Sequence, residues 1–299
     1  MRVRLLALLS AVALFLLAAA PAHAESDGTL SQGFSYLALG DSVPFGYSPL
    51  VNPADPDNFI GYPELVAKSL HLQGANAACP GEATGGFLSL SGTDNGCRGF
   101  RFLFNLPLHV SYAGTQMAFA LAYLHMHPKT RLVTLMLGAN DAFVFLRAHP
   151  ECAPTPPPTS CLPLLGALFT TIGANLNTIL SNLRSAGYTG LIVAVTYYAL
   201  DYAAPSVAGT VALNGTMIGA AQASGALVAS GFNAWQAKSL APPANGDSCL
   251  AGLRIVTPTG CDVHPTMLGH QLLADAVIQT IAGSCSADDA AVCLDKNND

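Results

Sequence analysis

Phe34-Ser35-Tyr36-Leu37-Ala38-Leu39-Gly40-Asp41-Ser42 is a largely apolar run stopped by a glycine, with an acid and a hydroxyl directly behind it. A short run of this kind bounded by a turn signal predicts a buried strand. Leu132-Val133-Thr134-Leu135-Met136-Leu137 repeats the pattern and stops at Gly138. Around these two runs, helical and strand patterns alternate. Helices are expected over 60–72, 112–125, 164–185 and 207–223, and further strands over 75–78, 191–198 and 227–229. A last helix is expected after Pro265, where Leu268, Leu272, Leu273, Ala276, Val277 and Ile281 recur at helical spacing. Strands alternating with helices predict a parallel sheet covered on both faces. Two loops stand out. Residues 149–163 are proline-rich, and residues 241–260 are rich in Pro, Gly and Thr.

The chain has 299 residues, 51% of them hydrophobic and 10% charged, with a formal net charge of −6. That composition excludes a disordered chain, and the acidic balance excludes a strongly basic nucleic-acid binder. Arg2 and Arg4, an apolar stretch over 5–20, and Ala22-His23-Ala24 form the three parts of a secretory signal peptide. The expectation is a signal over 1–24, cleaved near Ala24, and one domain over 25–299 without a stable membrane span. Export to an oxidising compartment agrees with an even set of eight cysteines. Nearest-neighbour pairing gives Cys79–Cys97, Cys152–Cys161, Cys249–Cys261 and Cys285–Cys293. No Cys-x-x-Cys is present to indicate a structural zinc. No Gly-x-Gly or P-loop supports nucleotide binding.

Four points carry chemistry. In an α/β sheet, ligands reach side chains at the carboxyl ends of the strands. Ser42 follows the first strand and Asn140 follows the strand ending at Gly138. Gly81 follows the short second strand, and Asp262-Val263-His264-Pro265 precedes the last helix. Each alone is bland: a capping serine, an Asx turn, a loop glycine, a surface histidine. Together they supply a nucleophile, a base and oxyanion donors. Gly246-Asp247-Ser248 repeats the first tripeptide, but no apolar strand precedes it, so Ser248 is read as a turn residue. His125 and His127 lack a third metal ligand and read as a helix end, and His270 is not expected to be a ligand either. Asn214-Gly215-Thr216 fits a glycosylation sequon but falls in an expected helix.

In this order, Gly40-Asp41-Ser42, Gly81, Gly138-Ala139-Asn140-Asp141 and His264 resemble the four blocks of the SGNH (GDSL-type) hydrolases, over about residues 34–281. The resemblance implies a flavodoxin-like, three-layer α/β/α fold with a mostly parallel five-stranded sheet. It implies Ser42 as nucleophile and His264 as base. The implied oxyanion donors are the Ser42 and Gly81 N–H groups and the Asn140 side chain. It implies no metal and no organic cofactor. The family places its acid three residues before the histidine. Here that position is Cys261, and the nearest acid, Asp262, is two residues ahead. Asp262 orients His264 if the loop bends; otherwise a backbone carbonyl does. The expected function is that of a secreted, monomeric serine esterase acting on small-molecule or lipid esters through an acyl-enzyme, with lipid or fatty-acyl esters favoured. The alternatives are a carbohydrate O-deacetylase and a silent binding protein on the same fold. Phe100, Phe102, Phe104, Leu106 and Leu108 alternate as a half-buried strand or extended loop would, and offer themselves as an acyl pocket. The loop over 149–163 is expected to wall the substrate entrance.

Overall fold

The computed structural model describes residues 33–285 and residue 294. The expected signal segment lies outside the described residues. β1 (Ser35–Gly40) is buried at every position, as a central parallel strand requires. It pairs with β2 (Gln73–Asn76) on one side and β3 (Thr130–Met136) on the other. β4 (Leu191–Val195) and β5 (Leu227–Ala229) complete a five-stranded, wholly parallel sheet in the order β2-β1-β3-β4-β5. The order reverses at β1, so the ends of β1 and β3 diverge and open a crevice there.

The strands are joined by α1 (Ser42–Phe45), α2 (Tyr62–Ser69), α3 (Thr84–Leu88), α4 (Gln116–Met126), α5 (Ala139–Ala148), α6 (Leu162–Ser185) and α7 (Val207–Ala223). α8 (Gly231–Leu240), a hairpin of β6 (Arg254–Thr257) and β7 (Gly260–Pro265), and α9 (Met267–Gly283) follow. Apolar stripes turn the helices toward the sheet. In α6 these are Ile172, Leu176, Ile179, Leu180 and Leu183, and in α9 Leu273, Val277 and Ile281. With the turn before it, α6 is long and apolar enough to cross a membrane by length and composition alone. Its stripe is nevertheless part of the core.

The expected strand over 191–198 ends early, at Val195. Both backbone groups of Tyr197 are instead taken by the Asn214 side chain, at 2.9 and 2.7 Å. That buries Asn214 in α7 and leaves the sequon nothing to offer a glycan. β2 is offset toward the N-terminus from the expected 75–78, an edge strand whose Gln and Asn hide it from an apolar search. α5, α8 and the hairpin were not expected. Within the loop over 241–260, Arg254–Thr257 is a strand. The expected extended segment around Phe100 is a π-helical turn, Gly99–Leu103, closed by the Phe104 N–H on the Gly99 carbonyl.

Cys79–Cys97, Cys152–Cys161 and Cys249–Cys261 are bridged as expected. Each short-loop bridge restricts the unfolded chain, by about 2–4 kcal/mol in general. The expected Cys285–Cys293 pair has Cys293 outside the described residues.

Candidate active site

Gly40 fixes the site's floor. Its φ is +137°, and a side chain there would lie 2.1 Å from the Met136 carbonyl, so only glycine lets β1 end against β3. The buried Gln116 clamps the same residue. Its Oε1 accepts the Gly40 N–H at 2.6 Å, and its Nε2 donates to the Gly40 carbonyl at 2.9 Å. Asp41 then caps α1 by accepting the Val43 N–H at 3.0 Å. Ser42 is thereby set at the first position of the helix. Among the described residues, its N–H and that of Gly81 have no protein acceptor, as donors awaiting an oxyanion must be.

The Ser42 hydroxyl lies 2.9 Å from His264 Nε2. The other ring nitrogen, Nδ1, is hydrogen-bonded to Asp262 Oδ1. The short acid–histidine spacing works because both residues lie on β7. Alternate residues of a strand point to one face, so Asp262 and His264 meet without a turn. Of the two alternatives left open by the sequence, the partner of Nδ1 is the Asp262 side chain. Asp262 also accepts the His264 N–H, at 2.9 Å. The hydrogen bond from His264 holds its carboxyl below the usual carboxylate range. The hairpin is anchored by Cys249–Cys261 and by the Tyr198 hydroxyl on the Val263 carbonyl, at 2.7 Å. Trp235, on the unforeseen α8, stacks on Tyr198 with ring centroids 3.6 Å apart.

Asn140 sits in the first turn of α5, behind Gly138. Its Nδ2 donates to the Glu82 carbonyl at 2.9 Å and, weakly, to Asp41 Oδ2 at 3.4 Å. Asp41 Oδ2 also accepts the Tyr197 hydroxyl. Burial pushes the Asp41 carboxyl up to about 6, against the Tyr197 hydrogen bond. Gly81 is at φ +82° with the Asn95 carbonyl 2.8 Å from where a side chain would begin. Tyr197, Asn95 and Gln116 escaped the sequence reading. Tyr197 alone carried a signal, its place past a strand end.

The structure separates the remaining candidates. Ser248 is fully buried, and its hydroxyl donates to the Leu200 carbonyl at 2.7 Å. His127 stacks on Tyr123 at the end of α4. His270 is buried in α9, and burial pushes it down to about 3. One cluster of metal-ligand types, Glu82, Asp94 and Cys97, comes together among the described residues, but the Cys97 sulfur is bonded to Cys79.

A cleft of about 1110 Å³ is lined by Ser42, Gly81, Asn140 and His264. It runs between α5, the proline-rich loop, α6 and α7. Its walls are apolar, including Phe143, Leu146, Leu165, Leu168, Phe169 and Leu213. Residues 152–157 line it, so the loop does border the cleft. The expected acyl pocket is largely elsewhere. Phe100 alone of its five residues lines the cleft, while Phe102 and Phe104 are 53% and 68% exposed. The π-helical turn rotates them outward, and Leu106 and Leu108 pack into a separate small core.

Glu82 carries a stability prediction. Its carboxyl is buried, and burial first, then Asp94, pushes it up to about 8, with Arg101 opposing. Folding thus favours the protonated form. That contribution is full below the ordinary carboxylate range and is lost as pH rises through about 8. Glu82→Gln cannot ionise, so at pH 8.5 its Tm should exceed the parent's by on the order of 5 °C. At pH 4, below the ordinary glutamate value, the two should coincide. Melting curves that stay parallel between the two pH values would refute it.

The profile of the GDSL-like Lipase/Acylhydrolase family matches residues 38–272. No curated protein matches the chain. Among solved structures, phospholipase A1 from Streptomyces albidoflavus NA297 superposes with a TM-score of 0.52 at 18% identity, covering 83% of this chain and 99% of that one. Axe2, an acetylxylan esterase from Geobacillus stearothermophilus, gives 0.50 at 14% identity, covering 84% and 95%. At such identities the likeness is one of fold.

Proposed function

We propose that this chain, which belongs to the GDSL-like lipase/acylhydrolase family, cleaves fatty-acyl esters with Ser42 as its nucleophile. It is an ester-hydrolysing serine hydrolase; the substrate class and the residue roles are our reading. Ser42 Oγ attacks the ester carbonyl while His264 Nε2 takes its proton, with Asp262 holding the ring. The negative oxygen is received by the Ser42 and Gly81 N–H groups and by Asn140 Nδ2, which turns from its long contact to Asp41. His264 then protonates the leaving alcohol. Water, deprotonated by the same imidazole, releases the acid and restores Ser42.

The observation that carries the substrate class is the apolar cleft continuous with Ser42. The sequence around it agrees: residues 152–183 contain no Asp, Glu, Lys or Arg. Leu162 and Leu164, at the start of α6, are 55% and 39% exposed. A sugar-binding site needs polar groups to replace water on hydroxyls, and these walls offer few. Three disulfides in the described residues support the reading of the protein as exported. The phospholipase likeness fits this reading, and the acetylxylan esterase likeness marks the alternative.

The test is a series of p-nitrophenyl esters from acetate to dodecanoate, run beside acetylated xylan. Each buried methylene is worth ~0.8 kcal/mol, so kcat/KM should rise by at least about 10²-fold from acetate to octanoate. A flat series, or a preference for the acetylated sugar, would overturn the lipid reading and leave esterase activity standing.

A further inference from the structure

We propose that Asn95, held by Arg147, is the positioning residue for both oxyanion donors supplied from outside the nucleophile's own loop. The proposal rests on the reading of Asn140 and Gly81 as those donors. Asn95 lies in the turn between α3 and the π-helical turn, far in sequence from Asn140. Its backbone N–H donates to the Gly81 carbonyl at 2.9 Å. Its side-chain Nδ2 donates to Asn140 Oδ1 at 2.6 Å. Its Oδ1 accepts from the Arg147 guanidinium, which comes from α5. The Cys79–Cys97 bridge straps this turn to the Gly81 loop, with Cα atoms 5.5 Å apart. One residue therefore touches the peptide that follows the Gly81 N–H and the amide that carries the Asn140 N–H.

The direction of the hydrogen bonds gives the arrangement its use. An amide side chain can sit either way round, and its partners decide which. A guanidinium has donors and no acceptor, so Arg147 fixes the oxygen of Asn95 toward itself and its NH₂ toward Asn140. That NH₂ in turn fixes the oxygen of Asn140 toward Asn95. The Asn140 NH₂ is left facing the Glu82 carbonyl and Asp41, on the side of the cleft. A flipped Asn140 would present oxygen to a carbonyl and a carboxylate and would have nothing to donate to an oxyanion.

The variants are Asn95→Ala, Asn95→Asp and Arg147→Lys, each made in the parent and in an Asn140→Ala background. Asn140→Ala itself should lower kcat by ~10²–10³, the scale of one lost oxyanion donor. Asn95→Ala should lower kcat about tenfold with KM within about twofold and an unchanged melting curve. Asn95→Asp is isosteric and keeps an acceptor for Arg147, yet it places a carboxylate oxygen against Asn140 Oδ1. It should be worse than alanine. Arg147→Lys, which still only donates, should retain most activity. In the Asn140→Ala background the Asn95 variants should cost less than about twofold more, because they act through the missing amide. Asn95→Asp near parental activity, or losses that simply add to that of Asn140→Ala, would overturn the positioning role while leaving Asn140 as a donor. A parental kcat in Asn140→Ala would remove the donor reading and the positioning role with it.

Discussion

Ser42→Ala is expected to lower kcat on a soluble ester by about 10⁵–10⁶, the scale on which removing a serine nucleophile disables a whole triad. Its melting curve should match the parent's, since among the described residues the half-buried hydroxyl hydrogen-bonds to His264 alone. Ser248→Ala is the opposite case. Its buried hydroxyl donates to the Leu200 carbonyl, so the change should cost about 1 kcal/mol of stability and leave kcat alone. Steady-state rates and thermal melts on the two variants separate the two Gly-Asp-Ser tripeptides by function. Loss of activity in Ser248→Ala with retention in Ser42→Ala would reverse the assignment.

Asp262→Asn carries the second large effect, a fall in kcat of about 10³–10⁴. An amide in place of the carboxylate presents the wrong partner to His264 Nδ1 and stabilises a tautomer that cannot take the Ser42 proton. KM should change little, because Asp262 lies behind the imidazole. A variant within tenfold of the parent would mean that another group orients the ring. The pH dependence of the parent should be read alongside it: His264 holds Asp262 below the ordinary carboxylate range, so the pair stays intact into mildly acidic solution.

The strands that place the site were readable because they are buried on both faces and stop at glycines. Leu37, Leu39, Leu132 and Leu135 are essentially inaccessible to solvent, and such strands appear as plain apolar runs. The candidate catalytic side chains follow those runs at once, so Ser42 and Asn140 could be placed at the strand ends without the fold. His264 and Asp262 were singled out by order and chemistry, while the strand that brings them together was not foreseen. β7 spells Gly-Cys-Asp-Val-His-Pro, a two-stranded hairpin edge with no apolar period to detect. The supports of the site were less legible still. Gln116 and Asn95 act through hydrogen bonds to residues distant in sequence, and a polar side chain in a helix or loop carries no mark of its eventual partner. The cleft was misplaced for a related reason. Alternating phenylalanines after Cys97 looked like a strand face, and a π-helical turn closed by the Phe104 N–H sent two of them into solvent.

Activation of Ser42 by His264 beside an apolar cleft is tested most directly by covalent capture with a fluorophosphonate carrying a long alkyl chain, followed by peptide mapping. The expected result is a single adduct on Ser42, slowed by Asp262→Asn and competed by fatty-acyl esters in preference to acetate. An adduct on Ser248, or no adduct on protein that is cleaving esters, would contradict it.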